Sequence, residues 1–417
     1  MPSSTTAPPE SSLFTRHPFL FEHDADDDMY IRFFLTKVPI VLPYFEIFPN
    51  LVREVFQRAT VDKGLFHSML SVSHLIADSR CNRSLVPAFQ HQTQALSRLQ
   101  ESISSIDLTE TVAMSVVMIA WINMIQSNRS ALSQHMRGLY LIFQELFRRH
   151  AAAGIQPSPL LMQVYRFAIR LDIVAGIMFF PYEPLFTPTP RKSEDHHRNW
   201  VRQSTGLEED VDWTFAAFAL DDLLHRASHI AAKAASLPRD DPTTEAQLHT
   251  WTTDLLKEHS QWTQREIILK ADLLEKSANE YLAGPISCSQ KFLSYPPLRV
   301  YNNFYGNLLN TWRMIYIFID LILYPEIGSR EKGSKRYKYA IDICRTYASL
   351  PKMDAFPIGK IMTVFITGVA LGGKRRSPDE VEWLYDWVLG DLHHHFPLNK
   401  QAAVCLFSLL SFWPSPT

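Results

Sequence analysis

One stretch of the chain, residues 112–125, is apolar on almost every side of a helix, and it limits the possible folds most strongly. Only Ser115 and Asn123 interrupt its run of Val, Ala, Met, Ile and Trp. A helix without a polar face has to be buried, either in a large core or in lipid. Because a bilayer span needs about 20 apolar residues, this shorter run predicts a central core helix. Asp107, with Glu110 three residues later, is close to a capping box and predicts where the helix begins.

The segments on either side of this helix are amphipathic. Apolar residues recur there at three- and four-residue steps, which predicts one inward-facing stripe on each of three helices. These residues are Leu65, Met69, Val72 and Ile76 in the first segment, Val86, Phe89, Thr93, Leu96, Leu99 and Ile103 in the second, and Leu132, Met136, Leu139, Phe143 and Leu146 in the third. Gly138 lies inside the third pattern, where its missing Cβ would let another helix approach closely.

Helical patterns continue to the end of the chain, and period-two alternation is nowhere convincing, so no substantial sheet is predicted. We therefore predict an all-α fold, with about a dozen helices in one continuous helical bundle or helix-pair array. Residues 1–28 are rich in Pro, Ser and Thr and then acidic from Asp24 to Asp28, which predicts a disordered N-terminal tail. Residues 29–417 form the predicted all-α domain, with a loop over 182–212.

The order of these segments resembles the fungal-specific transcription factor domain. The resemblance rests on residues 65–75 (LFHSMLSVSHL), on residues 90–100 (QHQTQALSRLQ), on the apolar helix that follows, and on residues 135–139 (HMRGL). It covers most of residues 40–410. In many fungal regulators such a regulatory region lies C-terminal to a binuclear zinc cluster. The resemblance implies a role in transcription regulation and a nuclear or nucleocytoplasmic location.

Charge and cysteine content exclude several classes of protein. The formal net charge of −2 gives no electrostatic drive toward DNA or acidic membranes. We therefore expect no sequence-specific nucleic-acid binding by this chain alone, and no apolar run is long enough to span a membrane. The four cysteines are far apart and contain no CxxC pair, so they fit neither a disulfide framework nor the six-cysteine zinc cluster.

Few residues stand out as candidates for a chemical site. No phosphate-binding loop, dinucleotide fingerprint or nucleophile elbow occurs, so no catalytic residue and no cofactor is predicted. His135 and Arg137 occupy the family's H-x-R-G positions, where a buried Arg with a carboxylate or carbonyl partner would lock helix packing. The alternative is ligand contact, which Trp121, Trp312 and Arg313 would join if the helices enclose an apolar pocket.

Histidines supply the other candidates. Asp221, His225 and His229 share one helix face at four-residue spacing and could hold a metal, and a solvated polar face is the alternative. His67 and His74, seven residues apart, are interpreted as packing histidines. We predict no metal site, because the scattered cysteines cannot form a closed thiolate site for zinc.

The leading functional prediction is a fungal transcriptional regulator-like protein without its own zinc cluster. It would act through protein partners, including other copies of itself, or through a small-molecule effector. The alternative is an enzyme or a small-molecule-binding protein that reuses the helical scaffold around an apolar pocket, for example in secondary metabolism; of the two, the non-enzymatic reading is preferred. A pure scaffold is a third possibility. A deep pocket lined by polar groups would favour the alternative, and an exposed apolar surface would favour the regulator or the scaffold.

Overall fold

The computed structural model describes residues 26–38, 49–81, 83–126, 128–178, 182–186, 211–237, 242–262, 266–281, 303–324 and 335–349. These ranges contain twelve α-helices and no β-strand, which confirms the all-α prediction. The helices are α1 (Asp27–Thr36), α2 (Pro49–Ala59), α3 (Lys63–Arg80), α4 (Val86–Ser104), α5 (Glu110–Ile125), α6 (Arg129–Ala153), α7 (Pro159–Met178), α8 (Val211–Ser236), α9 (Pro242–Trp262), α10 (Glu266–Tyr281), α11 (Asn303–Leu323) and α12 (Lys335–Ser349). The predicted tail up to residue 25, most of the predicted loop over 182–212 and the helical patterns beyond residue 350 lie outside the described ranges.

Helix α5 is the central core helix that the sequence predicts. Every residue from Val112 to Ile125 is buried, including Ser115 and Asn123. The amide of Asn123 donates to the carbonyl of Ile119 at 2.8 Å, so its polar group is satisfied within the helix. The predicted cap is wrong, because the N-cap is Thr109, whose extended backbone places Oγ1 3.4 Å from the amide of Val112.

The first helix begins inside the predicted tail. Helix α1 starts at Asp27, and this aspartate is buried together with Tyr30, Ile31 and Phe34. Two acidic residues in its first turn suit the positive end of the helix dipole. An acidic composition alone does not distinguish such a helix start from a disordered segment. The N-terminal tail prediction therefore does not hold for Asp27 and Asp28.

The amphipathic stripes of α3 and α6 face the core as predicted, and all nine of their named residues are buried. The stripe of α4 is the exception. This helix packs closely on α3 through the small side chains of Ala88 and Ala95 and through Leu99, which turns its larger apolar residues outward. Gly138 also departs from prediction, because a Cβ built there would meet nothing within 4 Å. No described helix approaches it closely.

The helices pack around two centres. Helix α5 contacts α2, α3, α4, α6 and α7, whereas α11 contacts α8, α9, α10 and α12. Contact between α7 and α8 joins the two groups. This arrangement agrees with a continuous helical array, in which each helix finds an apolar face on its neighbours.

Residues 182–186 are irregular in structure and pack against α6 and α7. Phe186 is fully buried, with its ring 5.6 Å from Tyr140, 6.0 Å from Phe143 and 5.8 Å from Tyr165 between centroids. These edge-to-face contacts fix the segment to the core. Among the described helices, none is long and apolar enough to cross a membrane.

Candidate functional site

A row of apolar side chains is exposed on α4. Val86, Phe89, Leu96 and Ile103 are 57%, 45%, 38% and 49% exposed, and we call these four residues the α4 stripe. Phe89, Leu96 and Ile103 follow one another at seven-residue steps and therefore share one face of the helix. An apolar row that is rimmed by polar residues is typical of a surface that binds another protein.

Polar side chains border the α4 stripe, and Thr93 and Gln100 are exposed beside it. The other side of α4 is committed to the core through Ala88, Ala95 and Leu99. The helix backbone is thus held in place by α3 while its outer face stays available, which is the arrangement that a rigid docking surface requires.

The predicted ligand residues of the N-terminal half lie in different environments. Trp121 is buried in α5, and within the described ranges its indole Nε1 has no hydrogen-bond partner. His135 is half-buried on α6, where burial lowers its pKa. Arg137 is exposed, so the predicted structural role as a buried, paired arginine is wrong. The side chain points to solvent because the inward positions of this turn belong to Met136 and Leu139.

The other two predicted ligand residues belong to the second packing centre. Arg313 on α11 is buried, and its guanidinium donates to both carboxylate oxygens of Glu275 on α10. The same guanidinium donates to Asn310 at 3.2 Å and to Thr346 on α12 at 3.1 Å. These contacts tie three helices together. Beside it, Trp312 stacks on His259 with ring centroids 4.7 Å apart.

The five predicted ligand residues therefore fall into two groups. Trp121, His135 and Arg137 lie on α5 and α6, which pack on each other, and Trp312 and Arg313 lie on α11. A ligand role for them stays a prediction.

Buried charges connect α7 to α8 and decide the environment of the Asp221, His225 and His229 trio. Asp221 forms an ion pair with Arg170, and Asp222 forms a second one with Arg166 at 2.7 Å. Each of these four side chains is at most 10% exposed. The face is thus buried and paired, unlike the solvated polar face that we considered.

His225, which is fully buried, lies near a carboxylate of α7. Its Nε2 is 3.7 Å from Oδ2 of Asp172, and its ring meets that of His229 edge-on at 4.7 Å. Burial lowers the pKa of His229, and the neighbouring His225 lowers it further. The Asp221 carboxylate that a metal would need is already engaged by Arg170, which leaves two histidines at that place.

Another set of residues has the geometry of a metal site. Asp27, His74 and His91, from α1, α3 and α4, bring three possible ligand atoms within 4.8 Å of one another. Sequence analysis singled out His74, with His67, as a packing residue and placed Asp27 in the tail. Because these residues are separated in the sequence, their proximity in space was not predicted. The seven-residue spacing of His67 and His74, which places both on one helix face, was a usable signal for a histidine cluster.

Comparison with known families decides the class of protein. A model described as the fungal specific transcription factor domain matches residues 29–301, about two thirds of the chain. The chain belongs to this family.

Membership in the fungal specific transcription factor domain family confirms the resemblance stated from the sequence and shows a protein of the fungal transcriptional regulator type. The matched range begins in α1 and ends just before α11, so it includes α5, the α4 stripe, His74 and His91, whereas Asp27 lies two residues before it. No curated protein and no solved structure matches the chain significantly.

Proposed function

We propose that this protein is a regulatory module of a fungal transcriptional regulator, and that it acts in the nucleus through protein partners that contact the α4 stripe. Family membership supports the regulatory role and the nuclear setting. The exposed α4 stripe supports the partner-binding role, and it is the observation that carries the proposal.

The occupant that fits the α4 stripe is the same helix of a second copy of the chain. Leu96 lies seven residues after Phe89 and seven residues before Ile103. An antiparallel pair of α4 helices related by a two-fold axis at Leu96 places Phe89 of each copy opposite Ile103 of the other. Such self-complementarity is what a closed two-fold dimer needs, because one patch has to serve both sides of the contact.

Contact with DNA is assigned to a partner or to another module. A net charge of −2 provides no general attraction to the phosphate backbone, which supplies most of the affinity in protein–DNA complexes. The carbon surface of the α4 stripe is instead suited to another apolar helix.

The test combines oligomeric state with a transcription readout. The protein and its Leu96→Glu and Phe89→Glu variants are examined by sedimentation velocity over a range of concentrations. The same chains, fused to an unrelated DNA-binding domain, are compared on a reporter gene in a fungal host. Gln94→Glu is the matched control, because Gln94 is exposed on α4 outside the stripe and the substitution adds the same charge.

We expect the unaltered chain and Gln94→Glu to form dimers and to change reporter expression. Leu96→Glu and Phe89→Glu should be monomeric and should lose the reporter effect, with unchanged helix content by circular dichroism. If the unaltered protein is monomeric and the reporter effect still depends on the stripe, the partner is a different protein and not a second copy of this chain. A reporter effect that is absent, or that the stripe variants leave intact, would overturn the proposal.

A further inference from the structure

Three helices, α1 and the consecutive pair α3 and α4, bring histidine and aspartate side chains together. Asp27 comes from the first turn of α1, His74 from α3 and His91 from α4. Asp27 and His74 are buried, and the side chain of His91 is 16% exposed. The Nε2 atom of His91 lies 3.7 Å from Oδ1 of Asp27. We propose that Asp27, His74 and His91 form a binding site for a divalent transition metal, with Zn²⁺ as the best fit.

The surroundings of His74 fix which ring nitrogen is available. Its Nδ1 lies 2.9 Å from Oδ2 of Asp78, and the other oxygen of that carboxylate accepts from the hydroxyl of Tyr30 at 2.7 Å. Asp78 therefore holds the proton of His74 on Nδ1. The remaining nitrogen, Nε2, is buried and has no hydrogen-bond partner among the residues that the structure describes. A carboxylate behind the distal nitrogen is the usual support of a histidine that binds a metal.

His91 is supported in a comparable way. Its Nδ1 lies 3.1 Å from Nδ1 of His67, so one of the two imidazoles donates to the other. When His91 is the donor, its Nε2 carries a lone pair on the side of Asp27. The rings of His67 and His74 lie on either side of it, with centroids 5.3 Å and 5.2 Å away, which limits ring rotation.

The donor types agree with zinc, and the possible ligand atoms lie within 4.8 Å of one another. Bond lengths of about 2.0–2.1 Å place neighbouring ligand atoms of a tetrahedral zinc site about 3.3 Å apart. The 3.7 Å separation of His91 Nε2 and Asp27 Oδ1 needs only a small contraction to reach that value. Two imidazoles and one carboxylate leave a fourth position for water, and this donor set favours Zn²⁺ over Ca²⁺ or Mg²⁺, which prefer oxygen ligands alone.

A metal at this position would fasten α1 to α3 and α4. The site lies outside the α4 stripe, since His91 belongs to the core-facing side of α4. It also differs from the thiolate cluster that the sequence excludes, because no cysteine takes part. The expectation that the chain carries no zinc rested on its scattered cysteines, and the convergence of α1, α3 and α4 supplies ligands of another kind.

The experiment uses the full chain, produced without a histidine tag and treated with a chelator. Zn²⁺ is titrated by calorimetry in competition with a chelator of known affinity, and Co²⁺ absorption reports the coordination geometry. Asp27→Asn and His91→Gln remove one ligand each with little change in shape. The controls are His249→Gln, an exposed histidine of α9, and the combined His393→Gln, His394→Gln and His395→Gln variant, which removes the histidine run near the C-terminus.

We expect one Zn²⁺ per chain and a Zn²⁺-dependent rise in melting temperature for the unaltered protein and for both controls. Asp27→Asn and His91→Gln should weaken Zn²⁺ binding by more than tenfold and abolish that rise. His67→Gln should weaken binding about tenfold, as the loss of a supporting hydrogen bond does. Absence of a stoichiometric site in folded unaltered protein, or Zn²⁺ binding that Asp27→Asn and His91→Gln leave unchanged, would overturn the proposal.

Discussion

Tyr182 donates a hydrogen bond from its hydroxyl to Oδ1 of Asp172 at 2.9 Å, and this contact fastens residues 182–186 to helix α7. The second carboxylate oxygen of Asp172 accepts from the backbone amides of Leu185 and Phe186 at 2.7 and 2.8 Å. Asp172 is fully buried, so its negative charge depends on these three donors and on nearby His225. Burial raises the pKa of Tyr182 above its ordinary value, and the Asp172 charge raises it further.

Removing either partner of this contact should destabilise the fold to different extents. Asp172→Ala leaves a buried hydroxyl and two buried amides without an acceptor, and we expect a loss of about 3–5 kcal/mol in the free energy of unfolding. Tyr182→Phe removes one charge-assisted hydrogen bond and should cost about 1.5–3 kcal/mol. Urea titration followed by circular dichroism measures both values. Equal, small losses for the two variants would show that the carboxylate is not the anchor of residues 182–186.

A charge placed in α5 should prevent folding. Val117 and Ile119 are buried on a helix with no exposed face, so Val117→Asp or Ile119→Asp forces a carboxyl group into an apolar core. The cost of several kcal/mol is a large part of the ~5–15 kcal/mol that stabilises a domain. We expect insoluble or unfolded protein, whereas Ser133→Asp, on the exposed side of α6, should be soluble. Solubility and melting temperature provide the measurement. Soluble core variants with an unchanged melting temperature would show that α5 is not at the centre of the fold.

Two helical glycines should respond in opposite ways to alanine. A Cβ at Gly138 meets nothing within 4 Å, so Gly138→Ala gains helix propensity and should stabilise the protein by up to about 1 kcal/mol. A Cβ at Gly176 lies 3.3 Å from Cγ of Pro184 and 3.4 Å from Cβ of Ser228. Gly176→Ala therefore presses on residues 182–186 and should gain little or lose stability. Thermal unfolding of both variants shows which substitution is the more stabilising. The opposite result would be expected if another helix packed closely on α6 at Gly138.

The stability of the second packing centre should fall in mild acid. Burial lowers the pKa of His259 to about 4, although the hydrogen bond to the carbonyl of Trp312 raises it in part and Lys335 lowers it. The unfolded chain takes up this proton near pH 6.5, so between pH 6.5 and 4 the unfolded state binds more protons than the folded state. Folding stability is therefore complete above pH 6.5 and decreases toward pH 4, by at most about 1.4 kcal/mol per pH unit for this group.

The matched variant for that pH effect is His259→Gln, whose amide can still donate to the carbonyl of Trp312. Urea unfolding at pH 7 and at pH 5 should show a smaller loss for His259→Gln than for the unaltered protein. Identical losses would assign the acid sensitivity to other groups.

Periodicity in the sequence was sufficient for helices whose packing partners are unambiguous. An all-apolar helix such as α5 has only one possible environment, and the stripes of α3 and α6 are buried in the direction that their spacing indicates. The prediction of the buried face of α4 was wrong because two faces of that helix compete for burial against α3. Ala88 and Ala95 are weakly hydrophobic, yet their small size permits the closer contact with α3, and spacing rules weigh hydrophobicity rather than fit.

Contacts between distant residues could not be predicted from the sequence. Asp27 looked like part of an acidic tail, and only the packing of α1 on α3 places it near His91. The pairing of Arg313 with Glu275 has the same origin, since 38 residues separate the partners. A single sequence contains the residue types of such groups but not their distances.

The two ion pairs between α7 and α8 also determine how freely the chain between these helices can change. Arg166 and Arg170, four residues apart, face the consecutive carboxylates of Asp222 and Asp221. A slip of one helical turn would leave a buried charge unpaired, at about 3–5 kcal/mol. The alignment of the helices is thus fixed by their own side chains, while doubling the length of a flexible connection costs only about 0.6 kcal/mol. Insertions between Phe186 and α8 should therefore leave the alignment of α7 and α8 unchanged, whereas insertions within residues 182–186 would break their contacts with Asp172.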